Sequence, residues 1–174
     1  RAVSHLSTYE ESLGTVTNSL ERMFDEEKID ALSLKFVISN LLDNLAGRHQ
    51  ELLNFATIKR YDIKTYCHIV NVSILSMFFA SKLGFSREEV LDIGTAALFH
   101  DIGKMYISRK ILQKPARLTE AEFDKIKSHV TVGAEILLNY VDDLGILPAV
   151  ICFEHHLKFN LTGYPKVAHP LTPH

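Results

Sequence analysis

Residues 86–104 read SREEVLDIGTAALFHDIGK, and this stretch decides the fold. Ser86 and Glu89 have the spacing of a capping box, in which each side chain bonds to the backbone N–H of the other residue, so a helix should begin at Arg87. The apolar run TAALF carries this helix to Phe99 and places FHDIGK at its C-terminal end. A histidine and an aspartate are therefore predicted side by side at the edge of the core.

Composition limits the classes of protein that fit. The chain has 174 residues, 47% of them hydrophobic, but no apolar run approaches the roughly 18 residues of a membrane span. The first residues resemble neither a signal peptide nor a transit peptide. A formal net charge of −2 excludes general attraction to a nucleic-acid polymer. Cys67 and Cys152 lack CxxC spacing and are predicted to be buried free thiols. These features predict a soluble cytoplasmic protein in which any phosphate ligand needs a local site.

Apolar residues recur at three- and four-residue intervals along most of the chain, which predicts an all-α fold. The predicted helices span residues 9–24, 29–58, 62–84, 87–99 and 119–137, with a last one from about Pro148 through His156. Asp62 is the expected cap of the third helix, Gly84 ends it, and Thr119 with Glu122 forms a second capping box.

A domain boundary is predicted near residues 59–62. Residues 1–58 carry no candidate chemistry and are predicted to be an N-terminal helical segment or connector from an upstream module, although they could equally complete one domain. The long helix 29–58 could also pair with a second copy of the chain, giving a homodimer. Residues 59–174 hold all the candidate chemistry.

Six side chains suggest a metal centre, because they lie in or beside apolar stripes of four predicted helices: His68, His100, Asp101, His129, His155 and His156. A single buried histidine usually bonds to a carbonyl, whereas five with an adjacent aspartate favour metal ions. Imidazole nitrogens suit iron, zinc, manganese or nickel, and a carboxylate can bridge two ions about 3.5–4 Å apart. A hydroxide shared by two such ions is a nucleophile suited to attack on phosphorus. Lys104, one turn beyond Asp101, would contact a phosphate oxygen or hold the aspartate in place.

Residues 60–174 resemble the HD superfamily of metal-dependent phosphohydrolases, in particular its HD-GYP branch. The motifs that carry the resemblance are His68, FHDIGK, His129 within KSHVTVGAEIL, and EHHLKFNLTGYP. The resemblance implies an HD-domain-like helical bundle with an N-terminal helical segment. It also implies a bacterial signalling enzyme that hydrolyses cyclic di-GMP to the linear dinucleotide or onward to GMP, with a centre of two or three iron or manganese ions.

By position, the resemblance also assigns roles to individual residues. His68 and His100 would bind one metal, Asp101 would bridge, and His129, His155 and His156 would bind the second. Lys104 would contact the substrate phosphate. Gly163, Tyr164 and Pro165 would form a loop beside the substrate that can also engage a partner protein.

The chain departs from the family pattern at several positions. Between the paired histidines and GYP it has LKFNLT, which lacks an expected acidic residue and a glycine, so Leu161 implies a stiffer or differently folded loop. Lys64 stands where members with a third metal have glutamate, and a third metal is not expected. Asn71 replaces a frequent arginine. The chain ends before a further metal-binding aspartate of the family, which suggests C-terminal truncation and a weaker first metal position.

Two functions follow from these motifs. The first is hydrolysis of cyclic di-GMP through a metal-bridging hydroxide, with Lys104 stabilising negative charge. The second is a catalytically weak or inactive signalling module that uses the metal site and the altered GYP loop to recognise a ligand or a partner.

Overall fold

The computed structural model describes residues 5–26, 28–45, 64–158, 160 and 162–167. The chain divides into two compact units, residues 1–98 and residues 99–174. Within the described residues the regular structure is helical, and the only strand-like pairing among them is an isolated bridge between Leu157 and Gly163. The prediction of an all-α fold is confirmed.

The described residues of the first unit form four helices, the last of which ends one residue into the second unit. These are α1 (His5–Glu26), α2 (Ala31–Leu45), α3 (Lys64–Lys82) and α4 (Arg87–Phe99). Helices α1, α2 and α3 contact one another in pairs. On α1 the buried side chains follow helical spacing, with Tyr9, Leu13, Val16 and Leu20 on one stripe. Burial of this stripe holds α1 in the unit.

Helix α3 is held against two neighbours by buried polar contacts. The Tyr9 hydroxyl donates to Asn71 Oδ1 at 2.7 Å, which joins α1 to α3. The Ser73 hydroxyl donates to the Gly94 carbonyl at 2.7 Å, which joins α3 to α4. A Cβ on Gly94 would lie 2.5 Å from Cγ of Met77, so glycine permits the close approach of these two helices.

The predicted capping box at Ser86 and the predicted break at Gly84 are confirmed, whereas α1 extends beyond the predicted helix 9–24 at both ends. Ser86 N–H donates to Glu89 Oε2 at 2.8 Å and Glu89 N–H donates to Ser86 Oγ at 3.3 Å, as a capping box requires. Gly84, with φ of 87°, follows the end of α3. Of the predicted helix 29–58, the structure describes α2. Residues 46–63, which include the predicted domain boundary and Asp62, lie outside the described residues.

The second unit contains short helices around its own core. They are a 3₁₀ helix (Ile102–Tyr106), α5 (Arg109–Leu112), α6 (Glu120–Lys127), α7 (His129–Leu138), α8 (Val141–Leu144) and α9 (Leu147–Glu154). Helix α7 is central, because it packs against both α9 and the 3₁₀ helix. Ile102, Val130, Leu137 and Cys152 are buried between these elements.

The prediction of one helix over residues 119–137 is wrong, because Ser128 separates α6 from α7. Ser128 Oγ donates to the Lys125 carbonyl at 2.8 Å, and His129 Nδ1 lies 2.7 Å from the Ile126 carbonyl. Side chains that bond to the carbonyls of a last turn compete with the backbone ladder. The Thr119 capping box that opens α6 is confirmed. Helix α9 ends at Glu154, so the predicted extension through His156 is wrong by two residues.

Candidate metal centre

The ends of three elements place the candidate metal ligands of the second unit. Asp101 follows α4 and precedes the 3₁₀ helix, His129 is the first residue of α7, and His155 and His156 directly follow α9. One ligand atom from each of these four residues lies within 4.8 Å of all the others. The structure thus brings together four of the predicted ligands.

The Asp101 carboxylate lies at the centre of this cluster, which we call the His–Asp cluster: Asp101, His129, His155 and His156. Oδ1 lies 3.2 Å from His129 Nε2 and 3.5 Å from His155 Nε2. Oδ2 lies 3.2 Å from His100 Nε2 and 2.6 Å from Lys104 Nζ. Asp101 and His129 are buried, with 3% and 0% of their surface exposed. Both oxygens of one carboxylate therefore face nitrogen atoms.

Backbone carbonyls determine which nitrogen of two rings carries the proton. His129 Nδ1 lies 2.7 Å from the Ile126 carbonyl, and His155 Nδ1 lies 2.9 Å from the Cys152 carbonyl. A carbonyl oxygen only accepts, so each Nδ1 is the donor, and in a neutral ring Nε2 presents a lone pair. The two Nε2 atoms lie 3.2 Å apart. Two lone pairs and a carboxylate oxygen thus converge on one point.

This donor set fits a divalent cation. Nitrogen and oxygen ligands about 2.0–2.2 Å from an ion are about 3–3.5 Å from one another, which is the spacing found here. Without a cation the three electron-rich atoms would repel. Imidazole with carboxylate suits iron, manganese, zinc or nickel.

The charges of the cluster support this assignment. Burial raises the pKa of Asp101, but the hydrogen bonds that His100, His129 and His155 donate when their rings are protonated outweigh it and hold the pKa well below its usual range. Burial, followed by the charges of His155 and His129, lowers the pKa of His156 to about 4. At neutral pH the aspartate is therefore ionised and His156 is neutral, which are the forms that bind metal.

Lys104 contacts the carboxylate directly. Its Nζ lies 2.6 Å from Asp101 Oδ2, one 3₁₀ turn along the chain. Of the two roles predicted for this lysine, the structure shows the one in which it holds the aspartate. Contact with a phosphate stays a prediction.

The GYP segment folds back onto the paired histidines. Gly163 has φ of 111°, and a Cβ there would lie 2.3 Å from the His156 carbonyl oxygen. Lys158 N–H donates to the Thr162 carbonyl at 2.9 Å, which closes a small turn. The Tyr164 ring then stacks on the His156 ring with centroids 4.5 Å apart and 27° between planes. Only glycine accommodates both this backbone conformation and this contact.

Part of the altered loop lies outside the described residues, including Phe159 and Leu161, so its predicted stiffness stays a prediction. Asn160 Oδ1 accepts from the Thr162 N–H at 3.1 Å and from its hydroxyl at 2.6 Å. The asparagine therefore stabilises a local turn between the paired histidines and Gly163.

Three residues discussed from the sequence lie on α3 in the first unit. His68 is exposed, and its role as a ligand stays a prediction. Lys64 begins α3, and its side chain lies outside the description. Asn71 bonds to Tyr9.

Sequence reasoning missed the carbonyls of Ile126 and Cys152 that orient the two imidazoles. A backbone carbonyl is common to every residue type, so no sequence signal marks it. It also missed the contact between Gly103 and Gly133, for which a signal was present, since a glycine inside a helix suggests tight packing.

The family model of the HD domain matches residues 65–172. The chain belongs to the HD domain family, and the resemblance to the HD superfamily of phosphohydrolases is confirmed. HD domains are metal-dependent, and the His–Asp cluster could bind a metal ion. No helix of the described residues has the length and apolarity needed to cross a membrane.

Individual bacterial relatives carry more specific names. The chain is 37% identical over 73% of its length to the cyclic di-GMP phosphodiesterase PA4108 of Pseudomonas aeruginosa, covering 31% of that protein. It is 32% identical over 84% of its length to the cyclic di-GMP phosphodiesterase response regulator RpfG of Xanthomonas campestris, covering 39%. It is 30% identical over 86% of its length to the 3'3'-cGAMP-specific phosphodiesterase 2 of Vibrio cholerae, covering 29%. The chain thus spans about a third of the length of these relatives.

Proposed function

We propose that this chain is the hydrolytic part of a metal-dependent cyclic dinucleotide phosphodiesterase of the HD-GYP branch, with cyclic di-GMP as its substrate. The convergence of His129 Nε2, His155 Nε2 and Asp101 Oδ1 within 3.2–3.5 Å carries the proposal. The HD domain match and the names of the relatives support the reaction class.

In the second unit, the proposed metal ligands are assigned from the distances between their donor atoms. His129, His155 and His156 hold one ion together with Asp101. His100, whose Nε2 lies 3.2 Å from the other oxygen of Asp101, holds a second ion with His68, whose role rests on the resemblance alone. Iron or manganese is the proposed metal, with zinc or nickel compatible with the same donors. When bound, the ions supply the Lewis acidity that attack on a phosphodiester requires.

The remaining residues position the substrate and its charge. Lys104 Nζ, held 2.6 Å from Asp101, is a cation at the cluster and stabilises negative charge that develops on a phosphate oxygen. The Tyr164 ring, stacked on His156, borders the cluster, and the GYP loop then lies beside the substrate. Asp101 keeps its charge at neutral pH and therefore carries no proton to the leaving group.

The experiment compares two cyclic dinucleotides. The purified chain, loaded anaerobically with Mn²⁺ or Fe²⁺, should convert cyclic di-GMP to the linear dinucleotide or GMP faster than it converts 3'3'-cGAMP, with products separated by liquid chromatography. Asp101→Ala should abolish the conversion. Absence of product from the metal-loaded chain would contradict the proposal. Faster conversion of 3'3'-cGAMP than of cyclic di-GMP would contradict cyclic di-GMP as the preferred substrate.

A second function is favoured by the turn that Asn160 makes with Thr162 in place of the usual acidic and glycine residues. In that case the chain binds a cyclic dinucleotide or a partner protein without turnover. Calorimetry on Asp101→Ala distinguishes the two functions, because binding that survives this change, together with no product from the wild type, indicates a binding module.

Four further expectations from the sequence stay predictions. They are a partner protein at the GYP loop, a homodimer through the N-terminal helices, a cytoplasmic location, and a boundary between residues 58 and 59.

A further inference from the structure

We infer that Gly103 and Gly133 are positioning residues: their backbones touch, and this contact sets the distance between Asp101 and His129. The inference takes from the proposed function that the His–Asp cluster binds metal, but the two glycines are not among the proposed ligands. We call it the Gly–Gly contact.

The two backbones approach too closely for any side chain to intervene. A Cβ on Gly103 would lie 1.9 Å from the His129 carbonyl oxygen and 2.8 Å from the Gly133 nitrogen. A Cβ on Gly133 would lie 2.9 Å from the Gly103 nitrogen and 2.5 Å from Cys152 Sγ. Real Cβ atoms essentially never approach other atoms within 3.0 Å, so either side chain would force the elements apart.

The position of the contact connects it to the ligands. Gly103 follows Asp101 by two residues on the 3₁₀ helix, and the atom that it meets belongs to His129 itself. Separation of the 3₁₀ helix from α7 would therefore increase the 3.2 Å distance between Asp101 Oδ1 and His129 Nε2. An ion bound by both residues requires that distance, because its bonds to them are about 2.0–2.2 Å long.

Helix propensity does not explain Gly133. Inside a helix a glycine is less favourable than alanine. Gly133 lies in the middle of α7 and is buried. Packing against Gly103 and Cys152 accounts for a glycine at this position.

The two glycines differ in what obstructs a larger residue. The closest atom to a Cβ on Gly103 is a backbone oxygen, which no other mutation removes. The closest atom to a Cβ on Gly133 is the Cys152 sulfur, which Cys152→Ala removes. The inference therefore predicts that Cys152→Ala rescues Gly133→Ala in part and does not rescue Gly103→Ala.

The test measures ion binding by titration with Co²⁺, whose visible absorption reports coordination geometry. Gly103→Ala and Gly133→Ala should each weaken Co²⁺ binding by about 10-fold or more and alter the spectrum, as is typical when the support of a ligand is disturbed. Gly133→Ala with Cys152→Ala should recover part of the affinity and the wild-type spectrum. Gly14→Ala is the matched control, because a Cβ there has nothing within 4 Å, and it should leave both unchanged.

Wild-type affinity and spectrum in folded Gly133→Ala and Gly103→Ala would overturn the inference. So would failure of Cys152→Ala to improve ion binding by folded Gly133→Ala. If Gly133→Ala does not fold, the double variant is compared with Cys152→Ala alone. In the double variant the Cβ at residue 133 still lies 2.9 Å from the Gly103 nitrogen, so this variant should bind Co²⁺ about 3- to 10-fold more weakly than Cys152→Ala. Equal Co²⁺ affinities of the two variants would contradict the inference. Co²⁺ binding needs no turnover, so a chain that fails to hydrolyse cyclic di-GMP leaves this test intact.

Discussion

His129 Nε2 lies 3.2 Å from His155 Nε2, while the Nδ1 atom of each ring faces a backbone carbonyl. In the neutral form of both rings the proton therefore lies on the outer nitrogen, and the inner nitrogens present lone pairs to each other and to Asp101. This relationship is unfavourable in the absence of a cation and favourable around one. The His–Asp cluster could therefore bind a metal ion.

Removing the charge of Asp101 should show that metal binding depends on this charge and not on the shape of the side chain. Asp101→Asn keeps the size of the side chain but removes the anion between the imidazoles. We expect the affinity for Mn²⁺, measured by calorimetry, to fall by more than about 10-fold. Asp124→Asn changes an exposed carboxylate paired with Lys127 and should bind Mn²⁺ like the wild type. Equal affinities in the two variants would exclude Asp101 as a ligand.

Lys104→Met should affect stability, metal binding and turnover in different directions. Without the ammonium group the buried carboxylate loses an ionic partner, so the metal-free chain should lose about 1–3 kcal/mol in free energy of unfolding. Mn²⁺ should bind at least as tightly, because a competing cation has been removed. If Lys104 also contacts phosphate, hydrolysis by the metal-loaded variant should fall about 100-fold. Unchanged hydrolysis would mean that Lys104 holds Asp101 and does not stabilise the phosphate during the reaction.

Much of this site could be predicted from the sequence because its ligands are chemically distinctive. His100 and Asp101 directly follow α4, whose start is marked in the sequence by the capping box of Ser86 and Glu89. The break at Ser128 was not predicted, since apolar periodicity continues across it and only side-chain bonds to carbonyls interrupt the helix. The return of Tyr164 onto His156 depends on a local turn that no periodicity encodes.

Gly163→Ala should disrupt this return of the GYP loop. Alanine at φ of 111° is strained, and its Cβ would meet the His156 carbonyl. Strain of this kind is worth about 1–3 kcal/mol, and release of the loop should separate Tyr164 from His156. Urea unfolding measures the loss of stability, and the protein's tyrosine fluorescence follows the ring. Gly14→Ala, on an open face of α1, should not reduce stability. A Gly163→Ala chain as stable as the wild type would contradict the described turn.

The Thr119 capping box should contribute a pH-dependent part of the stability. A hydrogen bond from Lys114, followed by one from the Thr119 N–H, lowers the pKa of Glu122 to about 2 from its usual 4.5. A folded-state pKa below the unfolded one gives stability that is present above the unfolded value and lost as the pH falls from about 4.5 toward about 2.

Glu122→Gln should therefore reduce the difference in free energy of unfolding between about pH 7 and about pH 3. Urea titrations at both pH values measure that difference. Glu120→Gln, an exposed change in the same first turn of α6, should keep the wild-type difference. If Glu122→Gln shows the same difference in free energy of unfolding between the two pH values as the wild type, the Glu122 carboxylate is not the source of the pH dependence.

The most direct test of the metal centre is anomalous diffraction from a crystal of the chain loaded with Mn²⁺. We predict a peak about 2.0–2.3 Å from Asp101 Oδ1, His129 Nε2 and His155 Nε2. Mn²⁺-loaded crystals with no anomalous peak between these three atoms would contradict the assignment of the His–Asp cluster as a metal site.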